Sequence, residues 1–351
     1  MHYAQGRGLG GSSLINGGVV TGEVPPDLAG LLCLERPWAH GVVADALLAA
    51  ARDASEVRLV RRNGMRVTAF DMFLGPDSPL GVASNLTIKA NADVRMLLVN
   101  GRRVVGVQTA GGDEVLGDAV VLCAGAIGTP TLLLRSRIDT PGVGVGVQDH
   151  PAVRLAFDLD AQRFDPTVPA IAAGVHRGAH QVLALDHVRA DLPLGVLITG
   201  LLRVESRGVV SLPDPDGPAA VSFNMLATSA DLTALVTAAR DLIAIARRRA
   251  FRDAVGQIYI DDHGTTMSQL RTAADIERWV QSTDLGGFHH VAASCRRGVV
   301  TDSNGWLRGY DRLAIGDASL LDGVAVTDPY IAVVAQALRL PTQGFLSRYR
   351  P

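Results

Sequence analysis

The stretch VVLCAGAIGTPTLLL, residues 120–134, decides how the rest of the chain is read. With Ala119 before it, the run Val120, Val121, Leu122, Cys123 is short, continuous and apolar, as a buried strand would be. Ala124, Gly125, Ala126, Ile127 and Gly128 then turn the chain. Thr129 followed by Pro130 has the form of an N-cap with proline at the first helical position, and the expected helix runs to about Ser136. Upstream, residues 91–99 are rich in β-formers and Asn100-Gly101 is a strong hairpin signal. Residues 103–109 make the return strand, Gly111-Gly112 turns again, and residues 114–123 close a three-stranded meander. A meander that ends in a buried strand and enters a helix predicts an α/β layer.

Downstream, residues 141–151 form a glycine-rich loop ending Gln148-Asp149-His150-Pro151. Residues 152–227 alternate short strand-like runs with turns, which predicts a separate antiparallel sheet. Residues 231–249 carry the clearest helical pattern, with Leu232, Leu235, Val236, Ala239, Leu242, Ile243 and Ala246 on one face. Arg247, Arg248 and Arg249 then read as a solvated helix end, where cations suit the dipole. A last helix is expected from Pro329 to about Leu340, with Asp328 and Pro329 as N-cap and first-turn pair.

The chain has 351 residues, 48% of them hydrophobic, enough for one large domain or two interleaved ones. A net charge of -2 without a basic stripe excludes a nucleic-acid binder. Cys33, Cys123 and Cys295 are far apart and odd in number, so neither a disulfide framework nor a metal site is expected, and a reducing compartment fits. The most apolar run, residues 119–134, is broken by Gly125, Gly128 and Pro130 and is too short for a transmembrane segment. Met1 leads into glycine-rich sequence without the charged and apolar regions of a signal peptide. The expectation is a soluble, cytoplasmic protein.

Near the start stands GRGLGGSSLINGG, residues 6–18. Gly6, Gly8 and Gly11 fit the spacing GxGxxG, but that turn binds a dinucleotide only after a strand, and the five residues before Gly6 are too few to make one. These glycines therefore signify tight turns or a close backbone approach.

Four separated segments together resemble the glucose-methanol-choline (GMC) oxidoreductase family. Residues 7–18 resemble its GRxLGGSSxxNG signature, and residues 120–134 its VxxxAGAIGSPxLLL pattern. Residues 143–151 are similar to the loop ending LQDHP. Residues 290–298 and 313–340 resemble the C-terminal block, a His-xxx-(S/T)-C-R-x-G segment followed by a DAS turn and a helix. The shortness of the chain and the His289-His290 doublet resemble a branch associated with the redox peptide mycofactocin.

The resemblance implies a fold, a cofactor and a reaction. The fold is α/β, α+β overall: a three-layer, Rossmann-like FAD-binding domain of residues 1–20, 84–151 and 288–351. It is interleaved with an antiparallel-sheet substrate domain of residues 21–83 and 152–287. The cofactor is FAD, with Arg7, Gly10, Gly11, Ser12, Asn16, Gly17, Gly18, Val94, Ala124, Gly125, Asp317, Ala318 and Pro329 at cofactor-lining positions. The reaction is oxidation of a small-molecule alcohol, whose electrons pass to an acceptor the sequence does not identify, oxygen or another. A base takes the hydroxyl proton while hydride moves to the flavin, and histidine has a pKa suited to that task. His290 falls at the family's catalytic histidine; the competing reading is a structural histidine. Asp328 falls at the second active-site position, where the family carries His or Asn, and as a plain N-cap it needs no catalytic role. A carboxylate facing the alcohol would favour protonated His290. The family's opening strand, GxGxxG turn and helix, which cradles the FAD pyrophosphate, do not precede Gly6. The expectation is that the recorded start is internal to a longer protein. The alternative is a truncated, non-catalytic remnant or binding protein with weak or no FAD binding.

Overall fold

The computed structural model describes residues 3–76, 78, 84–326 and 329–340. The chain divides into two compact units, each assembled from separated stretches. The first comprises residues 1–86, 150–203 and 228–289, and the second residues 87–149, 204–227 and 290–351. The mixed helix-and-sheet character expected from the sequence is present in both.

In the second unit the meander forms as its turn signals predict. The strands Val94–Asn100, Arg103–Thr109 and Glu114–Leu116 pair antiparallel, with Asn100 opposite Arg103 across the Gly101 turn. The expected third strand is split, however. Its first part stays in the meander, while Val120–Leu122 leaves to pair in parallel with Leu313–Ile315. The reason is burial: that pairing puts Leu122 in one core with Leu313, Ile315, Leu132, Leu133 and Cys295. An antiparallel continuation of the meander would leave this apolar run on a thin edge.

The helix after this strand also begins earlier than the Thr129-Pro130 pair suggests. It spans Gly125–Arg135, with Ala124 as its cap residue and Pro130 inside it. A proline within a helix leaves the carbonyl four residues before it without its amide partner. Here that carbonyl belongs to Ala126, and the Ser294 hydroxyl donates to it at 2.6 Å. Thr129, buried, is released from a capping role to bond elsewhere.

A three-stranded sheet of Val145–Val147, Gly208–Ser211 and Ala220–Ser222 completes the second unit. Residues 204–227 therefore do not pack with the larger antiparallel sheet, as their sequence position suggested. They pack here because Gly208–Ser211 pairs with Val145–Val147 in the loop before Asp149. Gly144, at φ 80°, allows this approach: a Cβ there would lie 2.2 Å from the Val210 carbonyl oxygen.

The first unit is built on a six-stranded antiparallel sheet. Its order is Ile258–Tyr259, Ala152–Asp158, Leu194–Leu201, His180–Leu185, Ile171–Arg177 and Ser55–Glu56. The amphipathic helix Ser229–Ala246 packs on it. Thr228 caps that helix by accepting from Asp231 N, and Leu235, Val236, Ala239, Leu242, Ile243 and Ala246 are buried as the periodicity predicts. The arginine run lies past the helix end. Arg249 pairs with Asp253 in solvent, whereas Arg247 donates to the Leu270 carbonyl. A second helix, Val42–Ala50, has no capping side chain of its own. Asp186 serves it from far along the chain, accepting from Gly41, Val43 and Ala44 N.

Residues 3–20 group with this first unit and not with residues 87–149 of the second. Val19–Val20 pairs with Arg58–Arg62, and Val60 N donates to the Gly18 carbonyl at 2.7 Å. Among the described residues no helix is long and apolar enough to cross a membrane.

Replacing Ser294 with Ala should leave the Ala126 carbonyl buried without a donor and cost about 1–3 kcal/mol. Urea unfolding of wild type and Ser294→Ala checks this, and an unchanged midpoint would show that the helix tolerates Pro130 unaided.

Candidate functional site

In the second unit, Asp317 is the organising group. Its carboxylate Oδ2 accepts from Gly125 N at 2.9 Å and from the Thr129 hydroxyl at 2.5 Å. Oδ1 accepts from Ser319 N at 2.8 Å, which caps the short helical turn Ala318–Leu320. The Asp317 carbonyl accepts from Gln336 Nε2, on the helix Pro329–Arg339, at 3.0 Å. Residue 318 joins the network through its carbonyl, which accepts from Ala293 N, while Cys295 N donates to the Ser319 carbonyl. Ala124, Gly125, Asp317 and Ala318, all singled out in the sequence, thus meet at one place, with Pro329 heading the helix that reaches it. Burial drives the Asp317 carboxyl above the ordinary carboxylate range, and the donated hydrogen bonds offset this only in part. Over Gly125, at φ 80°, a Cβ would meet nothing within 4 Å. The backbone at the head of this helix faces open space.

His290 lies on the segment that follows. Its backbone N donates to Asp149 Oδ1 at 3.0 Å, and Asp149 is buried. The neighbouring pair is fixed twice over: Gln148 N donates to the Ala292 carbonyl and Ala292 N to the Gln148 carbonyl. The Gln148 side chain, 1% exposed, donates to the Val204 and Ser206 carbonyls and accepts from Val324 N. Gln148 and Asp149 therefore hold the backbone on which His290 sits. His290 is half-buried; His289 before it is exposed, at φ 59°, and its ring lies 4.8 Å from that of Tyr3. His150 is fully buried, with Nδ1 2.5 Å from the Leu201 carbonyl, a structural place. Cys295 is buried and its thiol is pushed up to about 12 by burial, which removes it as a nucleophile. Asp328 lies outside the described residues.

The glycine block lies in the first unit. Ser13, buried, donates to the Gly10 carbonyl at 2.6 Å and accepts from Ala69 N. The Ser12 hydroxyl accepts from Gly6 N. Asn16 Oδ1 accepts from Gly18 N and from Arg66 Nη1 at 2.9 Å. Over Gly11, at φ 57°, there is again nothing within 4 Å of a Cβ. Arg7, Ser12 and Gly17 are exposed. In the second unit, Val94 is 40% exposed at the start of its strand. Three residues missed in the sequence, Gln336, Ser294 and Arg66, hold these places together with Thr129, which the sequence offered as a helix cap. Each acts across a long separation, which no local pattern reports. Among the described residues no group of His, Cys, Asp and Glu is arranged to hold a metal ion.

Comparison with known proteins places these features in a family. Residues 38–152 match the N-terminal and residues 204–337 the C-terminal family model, each described as GMC oxidoreductase. The 5-(hydroxymethyl)furfural oxidase of Methylovorus sp. (strain MP688) is 24% identical over 321 residues, covering 75% of this chain and 58% of that protein. The oxygen-dependent choline dehydrogenase of Escherichia coli O17:K52:H18 (strain UMN026 / ExPEC) is 26% identical over 302 residues, covering 68% of this chain and 53% of that protein. The chain thus spans a little over half the length of these curated relatives. The crystal structure of pyridoxine 4-oxidase from Mesorbium loti superposes with a TM-score of 0.83 at 21% identity, over 99% of this chain and 86% of that one.

Asp317→Asn should destabilise the second unit, because an amide NH2 in place of either oxygen sets a donor against the Gly125 or Ser319 backbone N–H; the cost is about 1–3 kcal/mol. The raised carboxyl of wild type contributes stability that is full below the ordinary carboxylate value and is lost as pH rises towards its folded value. The gap between wild type and variant should therefore be widest near pH 4 and narrow towards pH 7. Thermal melts across that range test it; a gap that widens with pH contradicts the buried, raised carboxyl.

Proposed function

The chain belongs to the GMC oxidoreductase family, and on that premise we propose that it acts in FAD-dependent oxidation of a small-molecule alcohol, with His290 as general base. GMC oxidoreductases are FAD-binding flavoproteins. The observation that carries this reading is the double anchoring of the His290 segment: Asp149 on the His290 amide and Gln148 on Ala292. A base must be held within hydrogen-bond reach of the proton it takes, and a backbone fixed on both sides does this without depending on a flexible loop.

In the proposed reaction the imidazole of His290 takes the hydroxyl proton of the alcohol, and the carbinol carbon gives up a hydride and becomes a carbonyl carbon. Bound FAD supplies the hydride acceptor. The residues proposed to hold it in the second unit are Val94, Ala124, Gly125, Asp317, Ala318 and Pro329. The family resemblance adds Arg7, Gly10, Gly11, Ser12, Asn16, Gly17 and Gly18 as cofactor-lining positions. The open backbone at Gly125 and Gly11 supports this, since a side chain at either place would fill the space a cofactor needs. The amides at the head of the helix Pro329–Arg339 favour negative charge near them. Asp328 is proposed as the second active-site residue, where its carboxylate would stabilise the imidazolium that forms on His290. The substrate domain is assigned to the antiparallel sheet of the first unit. The electron acceptor is oxygen or another oxidant, and the His289-His290 doublet supports a redox-peptide acceptor of the mycofactocin type.

The test is flavin reduction by stopped flow with 5-(hydroxymethyl)furfural, choline and pyridoxine, the compounds after which the similar proteins are named. His290→Ala and His290→Gln should retain flavin absorbance after desalting, yet reduce it about 10²–10⁴-fold more slowly than wild type. Wild-type reduction rates in both variants would remove His290 as the base. Turnover with oxygen alone against turnover with an artificial dye then separates an oxidase from a dehydrogenase.

A further inference from the structure

Two guanidinium groups of the second unit converge on a single glycine. Gly146 lies in the strand Val145–Val147 at φ 101°, and a Cβ built on it would stand 3.0 Å from Arg296 Nε. Arg207 Nη1 donates to the Gly146 carbonyl at 3.3 Å, and its Nη2 to the Asp322 carbonyl at 3.0 Å. Arg207 is thus anchored by carbonyl oxygens, not by a carboxylate. Arg296 Nε is buried and has no acceptor, and Arg296 makes no ion pair among the described residues.

This arrangement is costly as it stands. Like charges set close together repel, and a buried guanidinium N–H without an acceptor loses its hydration for nothing in return. Arg207, though exposed overall, has its guanidinium held below the ordinary value, first by partial desolvation and then by the nearby Arg296 charge, with Asp322 opposing. What relieves such a pair is an anion between the two forks. Planar guanidinium groups match carboxylate and phosphate oxygens with two parallel hydrogen bonds, which a lysine cannot reproduce. The glycine is consistent with this, because any side chain at position 146 would press on Arg296. The polar surroundings extend to Gln148: a Cβ on Gly323 would lie 2.8 Å from Gln148 Oε1 and 3.9 Å from Arg207 Nη2.

We propose that Arg207 and Arg296 form an oxyanion-binding site over Gly146 that takes a carboxylate or phosphate group. Neither arginine is among the residues assigned above to the flavin or to catalysis, so the proposal stands or falls apart from that assignment.

The experiment is thermal unfolding of the 351-residue chain in inorganic phosphate, in acetate, and in sodium chloride of matched ionic strength. The expected result is a saturable rise of about 2–4 °C with phosphate or acetate and none with chloride. The anion that gives the rise identifies the class. Arg296→Gln should abolish the response. Should that variant fold poorly, Arg296→Lys keeps the charge but loses the fork and should weaken the apparent affinity about tenfold. A wild type indifferent to both anions overturns the proposal, because the position is then empty of function or filled by a carboxylate of the chain itself. An equal rise in Arg296→Gln overturns it as well, since the effect would then be general salt stabilisation.

Discussion

The second unit depends on one buried carboxylate. Asp317 ties together a turn, a helix start, a capped helical turn and the final helix, using both carboxylate oxygens and its own carbonyl. Its charge is disfavoured by burial and supported in part by these donors. A group in that position tolerates no loose partner: move Thr129 or Gly125, and an acceptor is stranded in a low-dielectric interior. The strand-to-helix turn and the DAS turn are therefore one structural object, though they lie 192 residues apart in sequence.

Much of this architecture was legible in the sequence where the determinants are local. Asn100-Gly101 fixes its hairpin because glycine takes φ 62° without strain. The helix Ser229–Ala246 is announced by its apolar stripe, since one face must be buried. The misreadings share a cause. The run after Gly117 could equally continue the meander or leave it, and only Leu313–Ile315, far downstream, decides between them. Pro130 looked like a helix start because the sequence cannot display Ser294, whose hydroxyl makes an internal proline tolerable. Residues 204–227 have the same strand-like composition as their neighbours, and their partner, Val145–Val147, is chosen by the fit at Gly144.

The candidate site shows the same division. Resemblance points to His290, Asp317 and the glycines, residues that carry a motif. It does not point to Asp149 as the acceptor for the His290 amide, or to Gln148 as the tie between the carbonyls of residues 204 and 206 and the amide of Val324. These residues lay within a quoted loop, but their partners are distant. Supporting residues are harder to read than reacting ones because their chemistry is ordinary; only their placement is particular.

The parallel pairing of Val120–Leu122 with Leu313–Ile315 has a consequence for how the chain acquires its shape. Closing a loop of that length carries an entropic cost that no local contact repays in advance. On the ribosome, the strand and the helix Gly125–Arg135 emerge long before their partners, with Leu122, Leu132 and Leu133 still exposed to solvent. The first unit is interleaved in the same way, its sheet recruiting Ser55–Glu56 from one end and Ile258–Tyr259 from the other. Neither unit can mature in the order of synthesis. The nascent chain must pass through a long interval of sticky, half-made surface in which holding chaperones have the most to do.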